Sequence, residues 1–183
     1  MIFVVVWSLA YLLLPEGLLR GRTASAVLAG EDAAGSPWLE WLRILSINIA
    51  VAAGVFVLPN LMRTRRGIAL GNVAVLVMVT LAAVVTGTNS FSVQAGTSGS
   101  LAPSLEILSH PGPYELVAYL LATASAYGIG RWQLEGRWPR STLRALPQQP
   151  ALHGQVWFGL VAATLLLVLT SAWEARDIIN AVG

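Results

Sequence analysis

Residues 110–131 read HPGPYELVAYLLATASAYGIGR, and this stretch decides the fold. It opens with two prolines around a glycine, an arrangement that interrupts any helix arriving from the preceding residues. Glu115 follows, and the chain then carries no charge up to Gly130. This pattern predicts a membrane helix, in which a carboxylate at the beginning requires a specific physical reason.

The composition favours an integral membrane protein. Of the 183 residues, 56% are hydrophobic and 11% are charged, whereas about 25% of the residues of a soluble domain are charged. All cations are arginines, and the absence of cysteine excludes disulfides and thiolate metal sites. The net charge of +2 is too small for a surface that binds nucleic acid. The bilayer is therefore the first predicted partner.

Five apolar segments are interpreted as membrane spans, because about 20 mostly apolar residues cross ~30 Å of hydrocarbon. The predicted fold class is all-α: a polytopic transmembrane helical bundle that forms one domain over residues 1–183. Residues 101–109 are too short to cross, so they are interpreted as an interfacial or re-entrant segment before the fourth span. The predicted spans are residues 2–19, 42–62, 68–88, 113–130 and 155–173.

The first segment also has the character of a signal peptide, since Ala24-Ser25-Ala26 resembles a cleavage site. A signal peptide carries positive charge before its apolar region, and no such charge is present here. We therefore interpret residues 2–19 as a first span that Pro15 bends near one surface. Whether this segment crosses completely is left open.

Loop arginines predict the orientation, because cytoplasmic loops carry an excess of positive charge. The turn 63–66 and the loop 131–153 together contain seven arginines, and the opposite side contains four. The turn and the loop are therefore predicted to be cytoplasmic, with the N-terminus inside and the C-terminus outside. The arginines counted are Arg63, Arg65, Arg66, Arg131, Arg137, Arg140 and Arg144 against Arg20, Arg22, Arg43 and Arg176.

Polar residues in or beside the spans form the candidate functional cluster. An ionisable group at mid-membrane costs at least ~2–3 kcal/mol, so it usually faces protein or water. Glu115 has two explanations: it caps the helix that begins near Gly112 and Pro113, or it belongs to a polar pair or relay. The asparagines are explained equally by interhelical hydrogen bonds. The cluster comprises Glu115, His110, Gly112, Tyr114, Glu106, Asn48 and Asn72.

Small residues recur at helical spacing in the fourth predicted span. They allow two helix backbones to approach closely, so they predict packing, and an exposed stripe of them would allow self-association. The two stripes are Ala122, Ala126 and Gly130, and Ala124 and Gly128.

The residues at the beginning of the fourth span also resemble a known family. Residues 112–118 read Gly-x-Tyr-Glu-Leu-x-Ala, similar to the His-Gly-x-Phe-Glu-Leu-x-Ala signature of the stage II sporulation protein M family. Asn48 and Asn72 resemble asparagines of that family, and the resemblance covers about residues 44–131. One departure is that Pro111 occupies the place of the family histidine, so His110 lies one residue earlier.

The resemblance implies a non-enzymatic bacterial membrane scaffold or accessory subunit in the cytoplasmic membrane. The family's namesake recruits cell-wall hydrolases, and some relatives are encoded beside ATP-driven exporters. The alternative is a permease-like or immunity component that exports a hydrophobic peptide, lipid or ion. Its ATPase would be a separate subunit, because the chain has no phosphate-binding loop.

An intramembrane hydrolase is a third and weaker hypothesis. Gly96-Thr97-Ser98-Gly99 matches a short serine motif, but a serine nucleophile needs its base at about 3 Å. The arginine count places Ser98 and His153 on opposite membrane faces. The sequence therefore predicts no catalytic residue, cofactor or metal site.

Overall fold

The computed structural model describes residues 1–19, 36–90, 110–136, 141–146 and 154–182, and this part is mostly helical. The predicted re-entrant segment 101–109, with Glu106, lies outside the described residues. The helices in chain order are α1 (Ile2–Leu13), α2 (Pro37–Val51), α3 (Leu70–Gly87), α4 (Gly112–Ser125) and α5 (Gly154–Val182).

Three helical segments of the described chain are long and apolar enough to cross a membrane. They are Pro37–Leu61, which extends α2, then α3, and Gly154–Asn180 within α5, with 25, 18 and 27 residues. They correspond to the second, third and fifth predicted spans. The helix α1 contains 12 residues, and α4 contains 14 residues followed by a 3₁₀ turn, Ala126–Ile129. The structure thus supports three of the five predicted spans.

The first helix is shorter than predicted: it ends at Leu13 and does not continue to Leu19. Pro15 cannot donate a helical hydrogen bond, and Gly17 adopts a positive φ of 72°, which breaks the helix. The released backbone binds the end of α3 instead, because the N–H of Gly17 donates to the carbonyl of Thr88 at 2.6 Å.

The end of the second span is irregular. A π-helix, Ala52–Val57, follows α2, and a 3₁₀ turn, Leu58–Leu61, follows the π-helix. Pro59 lies in this turn and has no N–H to donate to the carbonyl of Val55, so the regular α-helical ladder cannot continue there. This irregular piece packs against both α3 and α4.

The last helix is longer than predicted. The sequence suggests a span that ends at Trp173 with a polar tail, but α5 continues to Val182. The reason is its packed face: Leu167 and Ser171 are buried and Glu174 is half-buried. The spacing of these three residues places them on one side of the helix, four and then three residues apart.

The core lies where α4 meets α5 and the π-helical piece. The rings of Phe56 and Tyr119 are 5.1 Å apart there, and alanines on α4 allow the helices to approach closely. Its buried members are Ala52, Phe56, Val75, Ala118, Tyr119 and Leu167.

A small sheet corrects the all-α prediction. Its strands are β1 (Met62–Arg63), β2 (Trp132–Glu135) and β3 (Thr142–Ala145), in the order β1-β2-β3. β1 pairs with β2 in parallel, and β2 pairs with β3 in antiparallel orientation. The sheet joins the turn after the second predicted span to the loop after the fourth. The two arginine-rich connections therefore lie at the same end of the bundle.

Candidate functional site: a polar cluster between three helices

Asn48 on α2 is the centre of a buried hydrogen-bond network. Its side-chain Nδ2 donates to Glu115 Oε1 at 2.7 Å and to Ser171 Oγ at 3.1 Å. Its Oδ1 accepts the hydroxyl proton of Tyr119 at 2.8 Å. An amide has both donors and an acceptor, so Asn48 connects α2 to α4 and α5 at once. Asn48, Tyr119 and Ser171 are all buried.

A second carboxyl group, Glu174 on α5, completes the cluster. Glu115 on α4 and Glu174 on α5 interact electrostatically with each other. Glu40 on α2 is 4% exposed, pairs with Arg43 at 3.6 Å and interacts electrostatically with Glu174. The cluster therefore contains acids from all three helices.

Glu115 lies in the first turn of α4, as the capping explanation requires, but no capping hydrogen bond from a side chain is present there. Helix α4 begins at Gly112, Pro111 is its N-cap, and no side chain caps it. The backbone N–H groups of Tyr114 and Glu115 both bind the carbonyl of Pro111. The carboxylate accepts a hydrogen bond from Asn48 Nδ2 at 2.7 Å, as the pairing alternative requires.

The other predicted cluster residues lie elsewhere. His110 and Gly112 are exposed, and a Cβ on Gly112 would meet nothing within 4 Å. The ring of Tyr114 packs outside the network against Trp173, with centroids 5.7 Å apart. Glu106 is outside the described residues. The structure thus brings together Asn48 and Glu115 from the predicted set.

Asn72 belongs to a different feature, a cleft between α3 and α4. It lies in the first turn of α3, and no side-chain hydrogen bond from it is present among the described residues. The cleft has a volume of about 350 Å³ and lies near the far end of α4 from Glu115. Its lining residues are Asn72, Val75, Leu120, Thr123, Ala124 and Tyr127.

The two small-residue stripes of α4 lie in different surroundings. Ala122 and Ala126 are buried in the bundle, and Gly130 packs against the side chain of Arg63. Ala124 is exposed at the cleft, and a Cβ on Gly128 would meet nothing within 4 Å. One stripe is therefore used inside the chain, and the other stays open.

Sequence reasoning missed three members of the network: Tyr119, Ser171 and Glu174. Tyr119 lies four residues after Glu115, so helical spacing places it on the same face. Glu174 and Ser171 share a face with the apolar Leu167 in the same way. That periodicity is the signal that could have found them. Of the three, only Glu174 lies beyond a predicted span, one residue after the end of 155–173.

The chemistry of the cluster is that of a closed hydrogen-bond network. No group of three or more His, Cys, Asp or Glu side chains suited to a metal ion occurs in the described ranges. Neither the α3–α4 cleft nor a second cleft, between the beginning of α2 and the C-terminal part of α5, is lined by Glu115 or Glu174. Comparisons with protein-family models, with curated proteins and with solved structures find no match for this chain.

Proposed function

We propose that this protein is a non-enzymatic integral membrane subunit that holds a partner membrane protein, in the manner of a scaffold. The observation that carries the proposal is the cleft between α3 and α4. It presents an amide without a hydrogen-bond partner in the described chain, Asn72, beside the small residue Ala124. Within a membrane, small residues and interhelical amide bonds are what helix association uses.

The partner is a transmembrane helix. The cleft is apolar along Val75 and Leu120 and polar at Asn72 and Thr123, a surface that suits a helix with one polar side chain. A second copy of this chain satisfies the same chemistry. The resemblance of residues 112–118 to stage II sporulation protein M also favours a scaffold that recruits other proteins.

The buried network serves this function by fixing the bundle. It satisfies its own donors and acceptors and is separate from both clefts. A rigid α4 keeps the cleft in one shape, which lowers the entropy that a partner loses on binding.

The proposal places five spans in a bacterial cytoplasmic membrane, with the sheet in the cytoplasm, the N-terminus inside and the C-terminus outside. The arginine excess around the sheet supports this orientation. Because the chain has no cysteine, single cysteines at Arg66 and Ser36 test it. A membrane-impermeant reagent should label intact cells at position 36 and not at position 66.

A photoreactive residue at Ala124 should capture the partner in native membranes. Leu165 on α5 is the matched control, since it is also exposed and apolar but lies outside the cleft. We expect one discrete adduct at position 124 and none at 165. Asn72→Leu should reduce the yield at 124 by about fivefold, the equivalent of one interhelical hydrogen bond of ~1 kcal/mol.

The mass of the adduct identifies the partner: twice the mass of the chain means a second copy, and any other discrete mass means another protein. Equal crosslinking at positions 124 and 165, or none at either, contradicts the proposal. An Asn72→Leu variant with full yield contradicts the role of the amide.

A transport function is the second candidate, in which the chain is a permease-like or immunity component beside a separate ATPase. The neighbouring carboxyl groups of Glu115 and Glu174 favour it, because carboxyl groups within membrane helices often belong to ion or proton pathways. If they carry a proton during transport, Glu115→Gln should abolish export in reconstituted vesicles. Full export by this variant would exclude the carboxyl relay, while the crosslink at Ala124 would be unaffected.

A further inference from the structure

The three-stranded sheet has two chemically different faces. Successive residues of a strand point to opposite sides, and the strand register aligns them across the sheet. Met62, Trp132 and Ala145 form one row, and Leu134 pairs with Leu143 on the same side. The opposite side carries Arg63, Gln133, Arg144, Glu135 and Thr142. The sheet is therefore amphipathic across its thickness.

Much of the apolar face is uncovered. Trp132 is 44% exposed and Leu143 is 55% exposed, and Ala145 is exposed as well. A contiguous apolar patch of this kind on a protein surface usually marks an interaction site. Tryptophan at such a position is typical of the membrane interface.

The charge around the sheet is strongly positive. Arg65, Arg66 and Arg131 are exposed, and no ion pair of theirs occurs in the described chain. The sole carboxylate among the described residues of this end, Glu135, is paired with Arg144 at 3.1 Å. An acidic surface is therefore the complement of this end of the molecule.

The sheet lies directly at the end of the membrane helices. β1 begins at Met62, immediately after the last turn of the segment Pro37–Leu61. The N–H of Arg131 donates to the carbonyl of Leu61 at 2.8 Å, which holds β2 at the same level. Arg63 reaches back to the carbonyl of Tyr127 at 2.9 Å and lies over its ring. No linker allows the sheet to leave the membrane surface.

We infer that the apolar face of this sheet rests in the membrane interface and that the surrounding arginines bind the phosphates of anionic phospholipids. The position of the sheet favours lipid as the bound partner, because residues that follow a span without a linker lie at the level of the lipid headgroups. The arrangement is the sheet counterpart of an amphipathic interfacial helix, which combines an apolar face with cations for anionic lipid.

Native mass spectrometry of the purified full chain tests the arginines, with phosphatidylglycerol and phosphatidylcholine of identical acyl chains. We expect a phosphatidylglycerol preference that falls about fivefold or more in R65Q/R66Q/R131Q and is retained in R65K/R66K/R131K. Arg176→Gln, at an exposed arginine on the C-terminal part of α5, should leave the preference unchanged. A preference that survives in the glutamine variant, or that soluble glycerol phosphate abolishes at equal concentration, overturns the inference.

Two adjacent labels test the apolar face. Since the chain has no cysteine, a polarity-sensitive dye can be attached to Leu143→Cys on the apolar face or to Thr142→Cys on the polar face. In phosphatidylglycerol nanodiscs we expect blue-shifted emission at 143 relative to 142. Equal emission overturns the inference, as does shielding at 143 that depends on protein concentration, which would mean that a second copy covers the face.

Discussion

Replacing Asn48 with leucine is expected to lower the free energy of unfolding by about 2–4 kcal/mol. The substitution keeps the branched shape of the side chain but removes the donors to Glu115 and Ser171 and the acceptor for Tyr119. A single interhelical hydrogen bond in a membrane is worth about 0.6–1.7 kcal/mol. Reversible unfolding in mixed micelles with increasing dodecyl sulfate measures the difference.

The matched control is Asn72→Leu, which makes the same chemical change at a position without a side-chain hydrogen bond in the described chain. We expect a change of less than about 1 kcal/mol there. An Asn48→Leu variant as stable as wild type would show that the network does not hold the bundle. Because Asn72 is also the cleft residue, its variant separates loss of partner binding from loss of stability.

The sequence could place Asn48 and Glu115 in one candidate cluster but could not predict that they pair with each other. Both residues are costly in an apolar helix, and the structure joins them across 67 positions of the chain. Asn72 was grouped with them on the same argument, although the direction of α3 places it at the other end of the bundle. Polarity within a span indicates that a partner exists, but only the packing of helices determines which partner.

Some elements of the fold could likewise be predicted from the sequence, and others could not. Long apolar runs predicted the segments 42–62, 68–88 and 155–173, because their length alone matches the bilayer. The sheet was missed since its strands have two to four residues, too few for alternation to stand out from a loop. Trp132-Gln133-Leu134-Glu135 does alternate between apolar and polar residues. Four alternating residues indicate a strand only when a pairing partner is known, and that partner is Met62–Arg63.

Replacing Gly71 with alanine is the second change expected to have a large effect, a loss of about 1–3 kcal/mol in the free energy of unfolding. A Cβ at this position would overlap the backbone carbonyl of Phe56 and the side chain of Asn60. Asn60 cannot move away, because it is fully buried and its Nδ2 donates to the carbonyl of Thr123 at 2.9 Å. The same unfolding titration in mixed micelles measures this loss.

Gly54→Ala is the control, because a Cβ there would meet nothing within 4 Å. Alanine is the better helix former by about 1 kcal/mol, so this variant should equal or exceed the wild type in stability. The contrast tests the irregular end of the second span. The π-helix and the 3₁₀ turn bring Phe56 and Asn60 against α3 at Gly71. If Gly71→Ala were tolerated like Gly54→Ala, the two helices would be farther apart, and the base of the α3–α4 cleft would be wider than the structure shows.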